Sequence, residues 1–337
     1  MKLENYNDYK EYSVKIYDIR MSMSVLNWDQ ETKMPKNGSK FRAQQLSTLA
    51  KIAYELSTDD KYGKLLEALN NDQSLNSDQK RNIFLSRKEF LKNKKYSTEF
   101  IVKQSKLISK AFNDWRIAKE KNDFKLFQDS LEKLVELRKE ECELIGYTNH
   151  PYDALLDRYE PNLTTKDVDL IFKDVKEKLV PFIKLIAKNN QVDESFFYQL
   201  YDHDKQWDFG VKLLKQMGYD FDSGRQDISA HPFSSHFSPQ DARVTTRIDE
   251  YNLSEMIWSC IHEGGHALYE QGILSENYGT PLGNSVSLGI HESQSRLWEN
   301  HVGRSLDYWK YNYPSLKSLF PDKLKNVDYY KFYEATN

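Results

Sequence analysis

Glycine and proline are absent from Lys64 to Ile145. Strands joined by tight turns seldom avoid both for so long, so this stretch is expected to be helical. Cysteine is scarce: Cys142 and Cys260 are the only two, far apart in sequence, which rules out a disulfide framework and fits reduced thiols in a cytoplasmic protein. No basic excess exists, since 48 Lys and Arg face 51 Asp and Glu for a formal net charge of -3, so nucleic acid is not an expected partner. No apolar run approaches the roughly 20 residues of a membrane helix. The opening MKLENYNDYKEYS has no apolar core of a secretory signal. Internal repeats and low-complexity tracts are also missing.

What is present is a helical texture with polar punctuation. Breaks are expected at Asn70-Asn71-Asp72 and Asn76-Ser77-Asp78, and Ser97-Thr98 should cap a helix before Glu99. Trp115, Ala118, Phe124 and Phe127 fit helical burial, interrupted near Asn122-Asp123. Thr164 to Ile186 reads as an amphipathic helix capped by Thr164 or Thr165. The texture changes near residue 218. Gly218, Gly224, Pro232 and Pro239 surround two strand-like runs, a weak one at His231–Phe237 and a clearer one at Asp241–Ile248. A small antiparallel sheet just before the next helix is expected, whose edge strand either pairs with an extended peptide or belongs to a hairpin that merely packs. The fold class is therefore mainly α with a small antiparallel β-sheet, divided into an N-terminal helical region, 1–225, and a region of 226–337 holding the hairpin and the motif below, together one continuous domain.

That motif lies in a helix expected from Asn252 to Gly272, whose apolar face is Leu253, Met256, Ile257, Cys260, Ile261 and Leu268. Within it stands His262-Glu263-Gly264-Gly265-His266. Histidines four apart share one helix face, so both imidazoles can reach one zinc ion at about 2.0–2.1 Å. Glu263, next to the first histidine, is placed to accept a proton from zinc-bound water. Unpaired His and Glu are costly in an apolar helix, and two glycines weaken it by up to about 1 kcal/mol each. Both features make sense if a metal is bound and something approaches the backbone closely. The metzincin pattern would need Gly at 269 and His at 272, where this chain has Tyr269 and Gly272. The third ligand should then be a carboxylate on the following helix, expected over Ser285 to Leu306 with Leu288, Leu297, Trp298, Val302 and Leu306 inward. Glu292 and Glu299 are the candidates, and the polar run His291–Arg296 favours Glu292. Glu299 is a candidate partner orienting a ligand histidine. Glu270 reads as an ordinary surface charge. His291 either orients the site or bonds locally, and His150, His203 and His301 read as structural or surface residues.

The run from His262 to Gly272, followed by His291-Glu292-Ser293-Gln294-Ser295-Arg296, resembles the M32 metallocarboxypeptidases of the Taq carboxypeptidase type. His231-Pro232-Phe233, the D-x-R-x-T pattern at Asp241, Arg243 and Thr245, the Trp28–Pro35 segment and Tyr152–Asp157 look like the same family. The resemblance spans essentially the whole chain. It implies a mostly helical fold with a deep groove, zinc or cobalt as cofactor, release of single C-terminal residues from peptides with broad preference, and a cytoplasmic homodimer. It also implies that His262, His266 and Glu292 bind the metal and Glu263 is the base. His231, Asp241, Arg243 and Thr245 would shape the substrate side, although an Asp241–Arg243 salt bridge is the readier role for that pair. Two further family motifs, I-R-x-x-A-D and G-x-x-Q-D-x-H-W, do not occur before Asn337. The chain thus reads as lacking a C-terminal segment expected to hold the substrate's terminal carboxylate. An endo-acting zinc oligopeptidase and a truncated, non-catalytic zinc-binding relative are the alternative readings.

Overall fold

Polar residues end the helices where glycine and proline are missing. In the computed structural model, which describes residues 5–337, Asn76 closes a capping box with Gln79, Ser97 accepts the Phe100 N–H, and Asn122 takes a left-handed φ of 51°. These are the breaks the sequence marks, and the side chains of Asn76 and Ser97 each satisfy a free N–H at a helix start. The resulting helices are α1 (Tyr6–Thr32), α2 (Ser39–Ser57), α3 (Asp60–Asn70), α4 (Ser77–Asn93), α5 (Thr98–Lys121), α6 (Lys125–Ile145) and α7 (Pro151–Leu156). They belong to one compact unit, Met1–Arg158 with Ile273–Val286, centred on Tyr9, Ile16, Tyr62, Leu66 and Ile83. Phe124 departs from its expected burial. It sits at the start of α6, outside the packed face, and is 61% exposed.

The second unit, Tyr159–Gly272 with Ser287–Asn337, carries the metal motif. Residues 159–225, grouped by sequence with the N-terminal region, lie in this unit. It contains α8 (Thr165–Ile186), α9 (His203–Met217), β1 (Gln226–Ile228), β2 (Ser234–Ser238), β3 (Asp241–Thr246), α10 (Leu253–Gln271), α11 (Leu288–Arg296), α12 (Leu306–Leu319) and α13 (Tyr329–Ala335). Helix α8 is capped by Thr164, one of the two expected caps, in a capping box with Asp167, but none of its residues is buried. The expected antiparallel pair forms between β2 and β3, with Ser235 opposite Arg243. A third strand joins it: β1 runs parallel to β3, so the sheet is mixed, in the order β1-β3-β2. The sequence cue for β1 is weak because the strand is only three residues long.

Helix α10 is the centre of this unit. Leu253, Met256, Ile257 and Ile261 are essentially fully buried against Phe209, Leu213, Trp309, Leu316 and Phe332. Each such side chain contributes about 1.5–3 kcal/mol, which outweighs the cost of about 0.5–1 kcal/mol for each helical glycine. Those glycines have steric reasons. A Cβ on Gly265 would lie 2.7 Å from the Ser295 Cα and 3.0 Å from the Gln294 carbonyl oxygen of α11, whereas on Gly264 it would meet only the side-chain ends of Leu214 and Met217. The same close approach explains a departure in α11. Leu288 and Leu297, expected inward, are 54% and 44% exposed, while Ser295 is fully buried, because backbones this close leave room for a small side chain only. The helix expected to run to Leu306 changes to a π-helical segment at Leu297–Gly303 before α12, a geometry that often accompanies functional sites.

Gly265→Ala is therefore expected to lower the melting temperature. Overpacking costs about 1–3 kcal/mol against a helix-propensity gain of up to about 1 kcal/mol. Gly264→Ala should be milder. A raised melting temperature for Gly265→Ala would contradict this account.

Candidate metal centre

Three side chains from α10 and α11 converge. His262 and His266 lie one turn apart with ring centroids 5.0 Å from each other. Their Nε2 atoms face the same Glu292 oxygen, at 3.7 Å and 3.3 Å respectively. One ligand atom from each of the three lies within 4.8 Å of the others. Two imidazoles and a carboxylate are the donor set of a catalytic zinc site that keeps a position open. The residues fit a divalent ion.

The surroundings prepare each donor differently. Burial pushes the His266 pKa down to about 4, helped by the neighbouring His291 and His262, so its ring is neutral, as a ligand must be. Burial also works to lower the His262 pKa. The hydrogen bond to Glu299 and the charges of Glu263, Glu292 and Glu299 outweigh it, and the net shift is upward. That hydrogen bond joins His262 Nδ1 to Glu299 Oε2 at 2.8 Å, fixing the ring with Nε2 toward Glu292. Glu299 is itself held by Arg296 at 3.0 Å and faces Arg304 at 3.6 Å. The His262 hydrogen bond keeps its carboxyl below the usual pKa, aided by those arginines. Arg296 also bonds Glu292 at 2.9 Å, so one guanidinium braces both carboxylates.

Glu263 is buried on the same helix. Desolvation pushes its pKa up to about 7, against the lowering effects of His262 and a hydrogen bond with Ser234 of β2. A carboxyl poised near neutrality is suited to taking up and releasing a proton.

Two outcomes follow for metal uptake. Glu299→Gln should weaken metal binding about 10–100-fold at neutral pH, the usual effect of losing a ligand's outer partner. Acid should weaken binding in the unmodified protein as well. A His262 pKa held above its ordinary value means that a proton competes with the ion as pH falls, by up to about tenfold per pH unit from that group. Glu299→Gln removes the raising partner, so its acid loss should begin at lower pH. Chelator-competition titrations between pH 5 and 8 read both effects, and identical curves for the two proteins would refute the role given to Glu299.

Comparison with known proteins gives the family. The family model described as Peptidase_M32, Carboxypeptidase Taq (M32) metallopeptidase, matches residues 8–337. The chain belongs to the M32 family. Carboxypeptidase 1 of Bacillus subtilis is 36% identical over 318 residues, covering 94% of this chain and 64% of that protein. Thermostable carboxypeptidase 1 of Pyrococcus furiosus is 36% identical over 310 residues, covering 91% of this chain and 62% of that protein. The chain thus spans just under two thirds of the length of these relatives. Among solved structures, the BsuCP crystal structure matches with a TM-score of 0.96 at 36% identity, covering 98% of this chain and 67% of that one. The M32 carboxypeptidase from Deinococcus radiodurans R1 matches with a TM-score of 0.89 at 33% identity, covering 98% and 66%.

In this M32 chain the other residues singled out from sequence lie on the sheet and its loops. Asp241 and Arg243 of β3 form a two-point ion pair at 2.7 Å and 2.8 Å, and the guanidinium lies over the Phe237 ring. Thr245 is buried. Its hydroxyl accepts from Ser229 Oγ and the Phe233 N–H and bonds the Phe233 carbonyl, tying the β1–β2 connection to β3. His231 is exposed in that connection, and its carbonyl accepts from Ser229 Oγ.

Glu270 is not the surface charge expected from sequence. Its side chain is 4% exposed and bonds His291 Nε2 at 2.7 Å, with His236 Nδ1 at 3.2 Å. The missed signal was periodicity: 262, 266 and 270 form one stripe at intervals of four along α10. His236 carried no such signal, because only the pairing of β2 brings it to this helix.

Proposed function

We propose that this chain is a zinc-dependent metallocarboxypeptidase that releases single C-terminal residues from peptides with broad preference. The supporting observation is the convergence of His262, His266 and Glu292 in a chain of the M32 family. These three residues would hold the ion. A bound zinc, or cobalt in its place, supplies Lewis acidity that activates water and polarises the peptide carbonyl. Glu263 takes the proton of the attacking water and passes it to the leaving amine. Glu299 keeps His262 in the tautomer whose Nε2 is free to ligate. His231 and the strands pinned by Asp241, Arg243 and Thr245 shape the substrate side. A cytoplasmic location and a homodimeric state belong to the same reading. No helix among the described residues is long and apolar enough to cross a membrane.

The test is release of the terminal amino acid from an N-blocked peptide by the 337-residue chain with zinc, with and without chelator, beside the same peptide amidated at its C-terminus. Chelator-sensitive release from the free acid alone supports the proposal. Internal cleavage that tolerates the amide points to an endo-acting oligopeptidase. Tight zinc binding without hydrolysis refutes catalysis by this chain.

A further inference from the structure

Behind the candidate metal centre, a buried carboxylate with no part in the proposed chemistry joins three elements. Glu270 Oε1 on α10 is 2.7 Å from His291 Nε2 on α11 and 3.2 Å from His236 Nδ1 on β2. Both contacts converge on one oxygen. A buried carboxylate needs such partners, because an unpaired charge there is strongly disfavoured. The two histidines lead to opposite parts of the site. The His291 ring lies nearly parallel to the ring of His266, with centroids 4.4 Å apart and planes at 18°. It therefore restricts how that ring can turn. The Tyr269 ring also packs on His291, nearly perpendicular to it with centroids 5.3 Å apart. His236 shares a strand face with Ser234 two residues earlier, and β2 packs against α10, where Ser234 acts on the Glu263 carboxyl to lower its pKa.

We infer that Glu270 is a positioning residue of the metal centre, clamping His291 so that its ring sets the orientation of His266 and clamping His236 so that β2 presents Ser234 to Glu263. This rests on the metallopeptidase reading and extends it. The assigned ligands and base come from α10 and α11, and Glu270 fixes their mutual arrangement without touching substrate or ion. Only the acceptor Oε1 is used in both contacts. Glutamine can supply the same carbonyl oxygen, whereas alanine removes it.

The experiment compares the full chain with Glu270→Gln, Glu270→Ala and His291→Phe, each loaded with Co²⁺. Four quantities are read: Co²⁺ affinity by chelator competition, the visible absorption of the bound Co²⁺, kcat and KM for an N-blocked peptide, and the melting temperature. Glu270→Ala is expected to bind Co²⁺ about tenfold or more weakly, to change the absorption envelope, and to lower kcat at least about tenfold with KM within about twofold. Glu270→Gln is expected to restore all three. His291→Phe keeps a flat ring against His266 but loses the bond to Glu270. It should reproduce the altered spectrum, and it carries the test if Glu270→Ala does not fold. A folded Glu270→Ala with wild-type spectrum, affinity and kcat would overturn the inference. So would Glu270→Gln failing as badly as Glu270→Ala while remaining folded. Absence of Co²⁺ binding by the unsubstituted chain would instead remove the metal reading itself, and this inference with it.

Discussion

Replacing Glu263 with glutamine is expected to cut peptide hydrolysis by about 10³-fold, within the usual range for a general acid–base, while metal uptake stays near normal. Glutamine has nearly the same volume and keeps a carbonyl oxygen for the Ser234 bond, but it cannot accept the proton. The residue's burial and its pKa near 7 in the absence of metal fit this role. A bound cation favours the carboxylate, so the group is ionised when the ion is in place. The substitution should also remove a cost from the metal-free protein. A carboxyl whose folded pKa is raised from its ordinary 4.5 to about 7 disfavours the folded state progressively as pH rises between those values. At about 1.36 kcal/mol per unit, the penalty is on the order of 3 kcal/mol above pH 7. Metal-free Glu263→Gln should therefore be the more stable protein at pH 8, with the advantage fading toward pH 4. Turnover within a factor of a few of the parent, with metal bound, would sink the assignment of Glu263 as base.

Glu292→Ala is expected to have the larger effect on metal, weakening it well beyond the about 10–100-fold assigned to loss of an outer partner such as Glu299. Glu292 supplies the only negative charge in the proposed ligand set, so its loss leaves two neutral imidazoles. Arg296, now lacking the 2.9 Å bond to Glu292, would remain beside a weakened cation site. Helix α11 itself should survive, since Glu292 is a partly exposed side chain and the packing against α10 runs through Ser295 and Gly265. Circular dichroism close to the parent's, together with near-complete loss of tight Zn²⁺ binding by calorimetry, is the expected pair of results. Undiminished affinity would exclude Glu292 as a ligand.

The parts of the site that were legible in advance are those governed by spacing within one helix. His262, Glu263 and His266 fall together because an α-helix turns once every 3.6 residues, whatever packs around it. The polar ends of α4, α5 and α8 were legible for a related reason, since a cap is a bond between neighbours in sequence. The glycines of the motif announced a close approach without naming its partner.

The approach of α11 decided the rest. It buried Ser295 in place of Leu288 and Leu297, and it brought Glu292 to the two imidazoles and His291 to Glu270. Strand pairing brought in His236, and β1 made the sheet mixed. Sequence by itself determined the helical class, the metal motif and the residue types able to bind an ion, because these follow from periodicity and side-chain chemistry. Only the tertiary structure decided that Glu270 is interior, and that Glu299 bonds His262 while Glu292 faces both imidazoles. Burial and long-range hydrogen bonds depend on which distant segment arrives, and helix periodicity carries no information about that.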